Sequence, residues 1–270
     1  MEIAINPSES LPTTDVCGIR LVQMQLPEAV AAVLGRSLIH TGSGNSVRFV
    51  NAWSVVLASR DDRYLHTLNG PGWNFADGAP VARILQRRSA VERVHVRGPA
   101  FFEQALDTGR ALGVRHYLFG TDDETLTRLC EAIDDKYPGC EVVGTFAPPH
   151  ATAEQLVSDA IVAGIRDSAP DIVWVALGTP KQDLVGDALA TQIDATFACV
   201  GAAFDFLSGA KRTAPRWVQV LQLEWLYRLL SEPRRLWRRY LFGNSKFLWL
   251  ALLDSFRARR STTSKAARRG

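Results

Sequence analysis

Short apolar runs alternate with longer amphipathic stretches along most of this chain. The apolar runs that predict strands are 47–52, 92–98, 115–120, 141–146, 171–178 and 196–201. Between them, apolar residues at helical spacing predict helices over 26–36, 53 to about 68, 99–113, 121–136, 152–167 and 179–191. Thr121 and Glu124 predict a capping box for the fourth of these helices. This alternation predicts an α/β fold, a Rossmann-like parallel sheet with helices on both faces.

Four of the predicted strands end in glycine, at Gly98, Gly120, Gly178 and Gly201. Ligands of such sheets bind beyond the carboxyl ends of the strands, and glycine there lets a ligand approach the backbone closely. Any one of these glycines is equally well explained by a turn. The four together favour a nucleotide-binding crevice.

The segment 69–80 is dense in Gly and Pro and predicts an ordered loop near a strand end. Asp77 lies within it, as Ala76-Asp77-Gly78. A carboxylate on an enclosed loop is suited to act as a general base on an attacking hydroxyl. The alternative is an aspartate that stabilises its own turn, which the tripeptide alone favours.

Two further segments follow strands and begin helices. Gly178 to Gln182 (GTPKQ) offers helix N-terminal N–H groups and side-chain donors to a diphosphate, although it is neither a P-loop nor a dinucleotide fingerprint. Asp205 lies between two phenylalanines in 201–209, either facing a ligand or serving as a buried helix-cap partner.

The five histidines show no ligand spacing, so we expect neither a metal nor a cofactor.

Charge is distributed unevenly along the chain. Residues 1–210 hold 16 Lys and Arg against 25 Asp and Glu, whereas 211–270 hold 15 against 3. An acidic body with a basic tail predicts that the tail meets an anionic partner, such as phospholipid, a lipid diphosphate or nucleic acid.

The tail over 221–260 combines arginine with tryptophan, tyrosine and leucine, and Pro233 divides it into two predicted helices. Leu223, Leu226, Leu229 and Leu230 form an apolar stripe. This pattern favours helices that lie in a membrane interface over a helix docked on the core with a solvated arginine face. The predicted organisation is a flexible terminus (1–16), a catalytic domain (17–210), a membrane-associating appendage (211–260) and a disordered basic tail (261–270).

Composition, the first residues and the cysteines indicate the class and location of the protein. With 47% hydrophobic residues the chain is ordinary for a globular protein. The first residues show no secretory signal, and the longest apolar stretch, 247–253, is far shorter than the ~20 residues of a membrane span. The four scattered cysteines predict reduced thiols. We therefore expect a cytoplasmic protein, peripheral on the inner face of the cell membrane.

In order and spacing, several motifs together resemble the WecG/TagA/CpsF glycosyltransferases, also called glycosyltransferase family 26. The resemblance runs from about Val47 to Tyr240. It is carried by Asn51 after a strand, Ala76-Asp77-Gly78, Gly178-Thr179-Pro180-Lys181-Gln182-Asp183, the stretch 201–209 with Phe204-Asp205-Phe206, Arg212-Thr213-Ala214-Pro215-Arg216-Trp217, and Leu223 to Leu229 with Pro233, Arg235, Arg238 and Tyr240 beyond.

The resemblance implies an inverting hexosyltransferase of cell-surface polysaccharide synthesis, with a UDP-sugar donor and an undecaprenyl-diphosphate-linked sugar acceptor. The family's proposed base falls on Asp77, and its appendage is associated with membrane attachment and closes over the active site. The arginines proposed to hold the acceptor diphosphate fall on Arg228, Arg235 and Arg238. The substrate-binding residues that we expect are Asn51, Gly78, Gly178, Thr179, Pro180, Gln182, Gly201, Phe204, Asp205 and Arg212. Self-association is left open.

Two positions depart from the family. Phe49 stands where many members carry a threonine implicated in catalysis, and Asp183 replaces the usual glutamate. The donor sugar therefore cannot be carried over. Two other classes of function remain: a non-catalytic nucleotide-sugar sensor docked on the membrane, and a nucleic-acid binder, which the leucine- and tryptophan-rich tail and the acidic body disfavour.

Overall fold

A six-stranded parallel sheet forms the centre of the protein. The computed structural model describes residues 11–212, 215, 218, 224–234, 237 and 243–256. The sheet has the order β4-β3-β8-β7-β5-β6. Its strands are β3 (Asn45–Val50), β4 (Trp73–Ala76), β5 (Arg115–Gly120), β6 (Glu141–Phe146), β7 (Ile172–Ala176) and β8 (Thr196–Cys199). The predicted α/β class and parallel sheet are confirmed.

Helices cover both faces of the sheet. They are α1 (Leu26–Ser37), α2 (Ala52–Ala58), α3 (Asp62–Asn69), α4 (Ala79–Arg88), α5 (Gly98–Arg110), α6 (Asp123–Lys136), α7 (Asp159–Asp167), α8 (Lys181–Ala190), α9 (Ala203–Leu207) and α10 (Glu224–Ser231), with a 3₁₀ turn at Gln155–Val157. Residues 243–256 are also helical. Among the described residues, no helix combines the length and the apolar character needed to cross a bilayer.

The apolar strands are buried because helices pack on both of their faces. One face meets α1, α5, α6 and α9 around Trp174, Phe101 and Phe102. The Phe102 and Trp174 rings meet edge to face at 4.8 Å between centroids. The other face meets α7 and α8 towards β5 and α2, α3 and α4 towards β4. This double coverage explains why the strands are near-continuous apolar runs.

The expectation of a loose terminus over 1–16 is wrong from Thr13 onward. Thr13–Val16 (β1) and Ile19–Val22 (β2) form an antiparallel hairpin. Cys17 and Gly18 make its two-residue turn, both at positive φ, as hairpin turns of this length require. Val16, Ile19 and Leu21 are fully buried, so the hairpin belongs to the core.

Several local expectations are corrected. The predicted helix to about residue 68 is two helices, because Asp61 accepts the Tyr64 N–H at 3.1 Å and starts α3. The predicted loop 69–80 contains β4 and the start of α4. The predicted strand 92–98 is a single bridge between Ala76 and His95. Asp122 caps α6 in place of Thr121, and it accepts the Thr125 N–H at 2.8 Å.

The C-terminal helix 243–256 docks on the core. Phe247 is 2% exposed and packs with the hairpin and α4. Asp254 accepts the Cys17 N–H at 2.9 Å and the Arg88 guanidinium at 2.8 Å. At the other end, a Cβ placed on Gly243 would lie 3.1 Å from the Trp53 ring, so this helix begins against α2. The docked-helix alternative therefore holds for this part of the tail.

The helix α10 ends at Ser231, two residues before Pro233, where the sequence predicts a division. Its Leu226 and Leu229 are half-buried and Leu230 is exposed, whereas Leu223 lies outside the described residues. The four cysteines are free thiols; Cys199 is buried and the other three are half-buried.

Candidate active site

Four neighbouring strands bring the predicted site residues to one edge of the sheet. Because β4, β3, β8 and β7 are mutually parallel, their carboxyl ends meet at the same edge. In that order they lead into Asp77, Asn51, Gly201 and Gly178. At ~4.8 Å per strand, the outer two strands are about 14 Å apart, so one elongated ligand could touch both ends of the row. The helices α2, α8 and α9 also begin at this edge.

Asp77 is half-buried and held by backbone contacts on three sides. Its N–H donates to the Val50 carbonyl at 3.0 Å, which extends the β3–β4 pairing by one residue. Its Oδ1 accepts the Gly98 N–H at 2.9 Å. The His95 ring Nε2 contacts the Asp77 carbonyl oxygen. The Gly98 contact therefore fixes the orientation of the carboxylate at this edge.

Asn51 and Gly78 lie side by side beyond β3 and β4. Asn51 is the N-cap of α2, and its Oδ1 accepts the N–H groups of Trp53 at 3.0 Å and Ser54 at 3.3 Å. A Cβ on Gly78 would lie 3.1 Å from the Asn51 Cβ, a contact tighter than most. Glycine at 78 thus allows the start of α4 to approach the start of α2.

Gln182 ties the ends of β7 and β8 together. Its Oε1 accepts the Gly178 N–H at 3.0 Å, and its Nε2 donates to the Cys199 carbonyl at 2.8 Å. Gln182 is only 4% exposed. The expectation that its side chain donates to a ligand is corrected, because both ends of its amide are occupied by the protein's own backbone. Lys181 similarly donates to the Ala151 carbonyl.

Gly178 and Gly201 both have positive φ. Among the described residues, a Cβ on Gly178 would meet no atom within 4 Å, and one on Gly201 would meet the Gln182 amide alone. By contrast, a Cβ on Gly120 would lie 2.5 Å from the Ala176 carbonyl oxygen. Gly120 is therefore required by packing within the sheet, whereas Gly178 borders open space at the ligand edge. Thr179 and Pro180, which is the residue before α8, lie next to it.

Asp183 is buried beneath this edge, in the first turn of α8. Tyr64 donates to its Oδ2 at 2.6 Å. Burial raises the pKa of Asp183 to about 6, opposed by the Tyr64 hydrogen bond and the positive charge of Arg48. Desolvation also raises the pKa of Tyr64, as does the nearby Asp183 carboxylate.

Asp205 lies in α9 and forms an ion pair with Lys211 at 2.6 Å. The Lys211 ammonium also lies 3.8 Å from the carboxylate of Glu232, just after α10. Lys211 therefore bridges Asp205 in the core and Glu232 in the appendage. Phe204 was expected to bind substrate, and this is wrong, because the side chain is fully buried against Phe102.

Of the four candidate arginines, only Arg212 has a described side chain. Arg212 is exposed. Arg228 lies in α10, but its side chain, like Arg235 and Arg238, is outside the described residues. Phe49 is buried, with its ring 5.1 Å from the Phe101 ring. Phe49 is therefore a core residue at the position where the resemblance to the family leads one to expect a threonine hydroxyl.

Sequence patterns missed three residues that support this edge: Ser54 contacts Asn51, His95 contacts Asp77, and Tyr64 contacts Asp183. Only Asn51 with Ser54 three residues later carries a local signal, that of a helix cap. The others are brought together by the fold.

A comparison with protein-family models identifies the family of this chain. The model described as the glycosyl transferase WecG/TagA/CpsF family matches residues 14–261, nearly the whole chain. The match includes all of the hairpin except Thr13, all six sheet strands and the C-terminal helix. The chain therefore belongs to the WecG/TagA/CpsF family of glycosyltransferases.

Proposed function

We propose that this protein transfers a sugar from a UDP-sugar to a polyprenyl-diphosphate-linked sugar, with inversion at the anomeric carbon. The observation that carries the proposal is the position of Asp77. Its carboxylate is held by the Gly98 N–H at the edge where Asn51, Gly201 and Gly178 also lie. A fixed, half-buried carboxylate beside a ligand crevice suits a general base.

In the proposed reaction, Asp77 takes the proton from the acceptor hydroxyl. The hydroxyl oxygen forms a bond to the anomeric carbon from the face opposite UDP. The bond from that carbon to the UDP oxygen breaks, and UDP departs with the electron pair. Asn51 and Gly78 line the sugar side of this edge, next to the base.

The diphosphate that departs would lie over the start of α8. The Gly178 N–H is already taken by Gln182. The donors are then the Thr179 hydroxyl and those protons of the Lys181 ammonium that are not donated to the Ala151 carbonyl, together with the positive end of the α8 dipole. Arg212 and the three tail arginines, Arg228, Arg235 and Arg238, suit the acceptor diphosphate because guanidinium groups bind phosphate bidentately.

The appendage would place the protein on an anionic membrane. Seven of the ten exposed large hydrophobic side chains in the described structure lie between 225 and 256, namely Trp225, Leu230, Trp237, Leu248, Trp249, Leu252 and Phe256. The helix 243–256 buries one face on the core through Phe247 and leaves Leu248, Trp249 and Leu252 outward. With a net charge of +12 over 211–270, this surface suits the inner face of the cell membrane.

A panel of UDP-sugars offered with a short-chain polyprenyl-diphosphate sugar tests the proposal. We expect one donor to release UDP in proportion to a lengthened lipid-linked product. Binding of a UDP-sugar without release of UDP would instead identify the nucleotide-sugar sensor. Failure to bind any UDP-sugar would contradict both.

A further inference from the structure

A short segment before α5 lies beside the end of β4. Ala76, the last residue of β4, forms a parallel bridge with His95, and its carbonyl accepts the Val96 N–H at 2.9 Å. The His95 ring Nε2 contacts the Asp77 carbonyl oxygen, and the Gly98 N–H donates to the Asp77 Oδ1 at 2.9 Å. This segment therefore holds Asp77 at its main chain and at its carboxylate.

The segment is itself anchored in the core on both faces of the sheet. Val94 and Val96, on either side of His95, are 1% and 0% exposed. Val94 packs in the cluster that contains the hairpin, α2, α3 and α4, whereas Val96 packs in the cluster on the opposite face, with α1 and α5. The His95 backbone therefore has a fixed position, from which its half-buried ring reaches Asp77.

The contact with Asp77 determines which nitrogen of the His95 ring carries a proton. A carbonyl oxygen only accepts hydrogen bonds, so Nε2 must be the donor. The neutral ring then has its proton on Nε2 and leaves Nδ1 as an acceptor. The contact does not require a charged imidazole, because Nε2–H is present in this neutral tautomer and in the protonated ring alike.

The His95 contact restrains the peptide group between Asp77 and Gly78. The Asp77 N–H is held by the Val50 carbonyl at 3.0 Å, and its Oδ1 is held by Gly98. The Asp77 carbonyl belongs to the next peptide group, and a following glycine lets that group rotate more easily than any other residue would. A rotation there would turn the main chain from which the carboxylate projects.

We propose that His95 is a positioning residue for the base: its Nε2–H holds the Asp77 carbonyl and so keeps the carboxylate directed at the acceptor hydroxyl. The inference rests on the proposed function, because it requires Asp77 to take a proton during sugar transfer. Accurate placement matters, since a displacement of about 1 Å can lower a rate by about 10²-fold. Because His95 acts through Asp77 and not on the substrate, its loss should change kcat more than KM.

Two carboxamide substitutions test the proposal on the full-length protein. Counted in bonds from Cβ, the glutamine Nε2 stands where the histidine Nε2 does, whereas the asparagine Nδ2 corresponds to the histidine Nδ1. His95→Gln can therefore donate to the Asp77 carbonyl, and the matched control His95→Asn falls short of it. Neither carboxamide titrates, so the pair separates loss of the hydrogen bond from loss of the imidazole. Thermal unfolding verifies that both variants are folded.

We expect His95→Asn to lower kcat for sugar transfer roughly tenfold, the effect of one lost hydrogen bond, with less than about a twofold change in KM for the UDP-sugar. His95→Gln should retain at least about a third of the wild-type kcat. When Asp77 is already asparagine, His95→Asn should have less than about a twofold further effect, because the base that it positions is gone. Equal losses in the two carboxamide variants, a normal kcat in His95→Asn, or a change mainly in KM would overturn the inference.

NMR of the ligand-free protein separates this inference from the proposed function. At a pH where the ring is neutral, the imidazole nitrogen shifts should show a protonated Nε2 and an unprotonated Nδ1. Exchange of the Gly98 amide proton should quicken in His95→Asn and stay slow in His95→Gln. The opposite tautomer, or unchanged Gly98 exchange in His95→Asn, would overturn the inference. A wild-type protein without any transfer would overturn the proposed function instead, and these two NMR results would then decide whether His95 fixes Asp77.

Discussion

The Asp77 Oδ1 accepts a hydrogen bond from the Gly98 N–H at 2.9 Å, which joins the end of β4 to the start of α5. Twenty-one residues separate the two. This contact gives the carboxylate a structural role in addition to the chemical role proposed for it, and the two roles can be separated by substitution.

Asp77→Asn retains an oxygen that accepts the Gly98 N–H but removes the base. We expect kcat for sugar transfer to fall by about 10²- to 10⁴-fold, the usual contribution of a general base, with little change in Tm. Asp77→Ala removes both roles and should cost about 1 kcal/mol or more of unfolding free energy as well. Steady-state kinetics and thermal unfolding of the two variants distinguish the roles. Near-normal transfer by Asp77→Asn would refute the assignment of the base.

Gly178→Ala should impair ligand binding more than it impairs folding. Gly178 has φ +78°, and a Cβ there would contact no atom of the described part of the chain within 4 Å. Gly113 is the matched control, with φ +65°, the same open surroundings and a position between α5 and β5. Both substitutions should cost about 1–2 kcal/mol of stability through backbone strain. Only Gly178→Ala should weaken UDP-sugar binding, measured by calorimetry; equal binding by both variants would remove Gly178 from the site.

Leu248 and Leu252 should contribute to membrane attachment. Their side chains are 61% and 60% exposed on the outer face of the C-terminal helix. Replacing both with serine should reduce co-sedimentation with anionic phosphatidylglycerol vesicles at least tenfold, because apolar contacts with the acyl chains are lost. Leu112→Ser, at a residue 50% exposed outside the appendage, is the control and should leave sedimentation unchanged. These surface changes are preferable to deletion of the tail, because Phe247 is part of the core.

Asp183→Asn should alter the pH dependence of stability. The folded-state pKa of about 6 lies above the ordinary 3.8, so the contribution of Asp183 is fully present below pH 3.8 and is lost as pH rises through 6. Two pH units correspond to about 3 kcal/mol. Relative to Asp183→Asn, the wild-type free energy of unfolding should therefore fall by about that amount from pH 4 to pH 7, measured by urea unfolding. Parallel curves for the two proteins would contradict the shift.

The sequence predicts the parallel sheet well because fully buried strands leave a local signature. Runs such as 171–178 are apolar at nearly every position, and glycine marks their ends. The hairpin and β4 leave weaker signatures. Thr13–Val16 and Trp73–Ala76 have four residues each, in polar or Gly-rich surroundings, and their pairing depends on distant partners.

The position of a candidate residue is predictable where it directly follows a strand, as at Asp77 after β4 and Asn51 after β3. It is not predictable where the fold decides how a side chain is used. Gln182 is polar and close to the crevice, but its amide holds two strand ends together. Tyr64 and Asp183 are 119 residues apart, and nothing local in either segment indicates that they meet.

The Asp254 carboxylate bridges the turn of the N-terminal hairpin and Arg88. The first and last described segments of the chain therefore depend on each other for their docking. Removing the hairpin would take away a partner of Asp254 and weaken the docking of the helix 243–256, and removing that helix would likewise weaken the docking of the hairpin. A chimaera that receives the C-terminal helix of a relative would therefore need that relative's hairpin too, because the hairpin and this helix pack together as one unit.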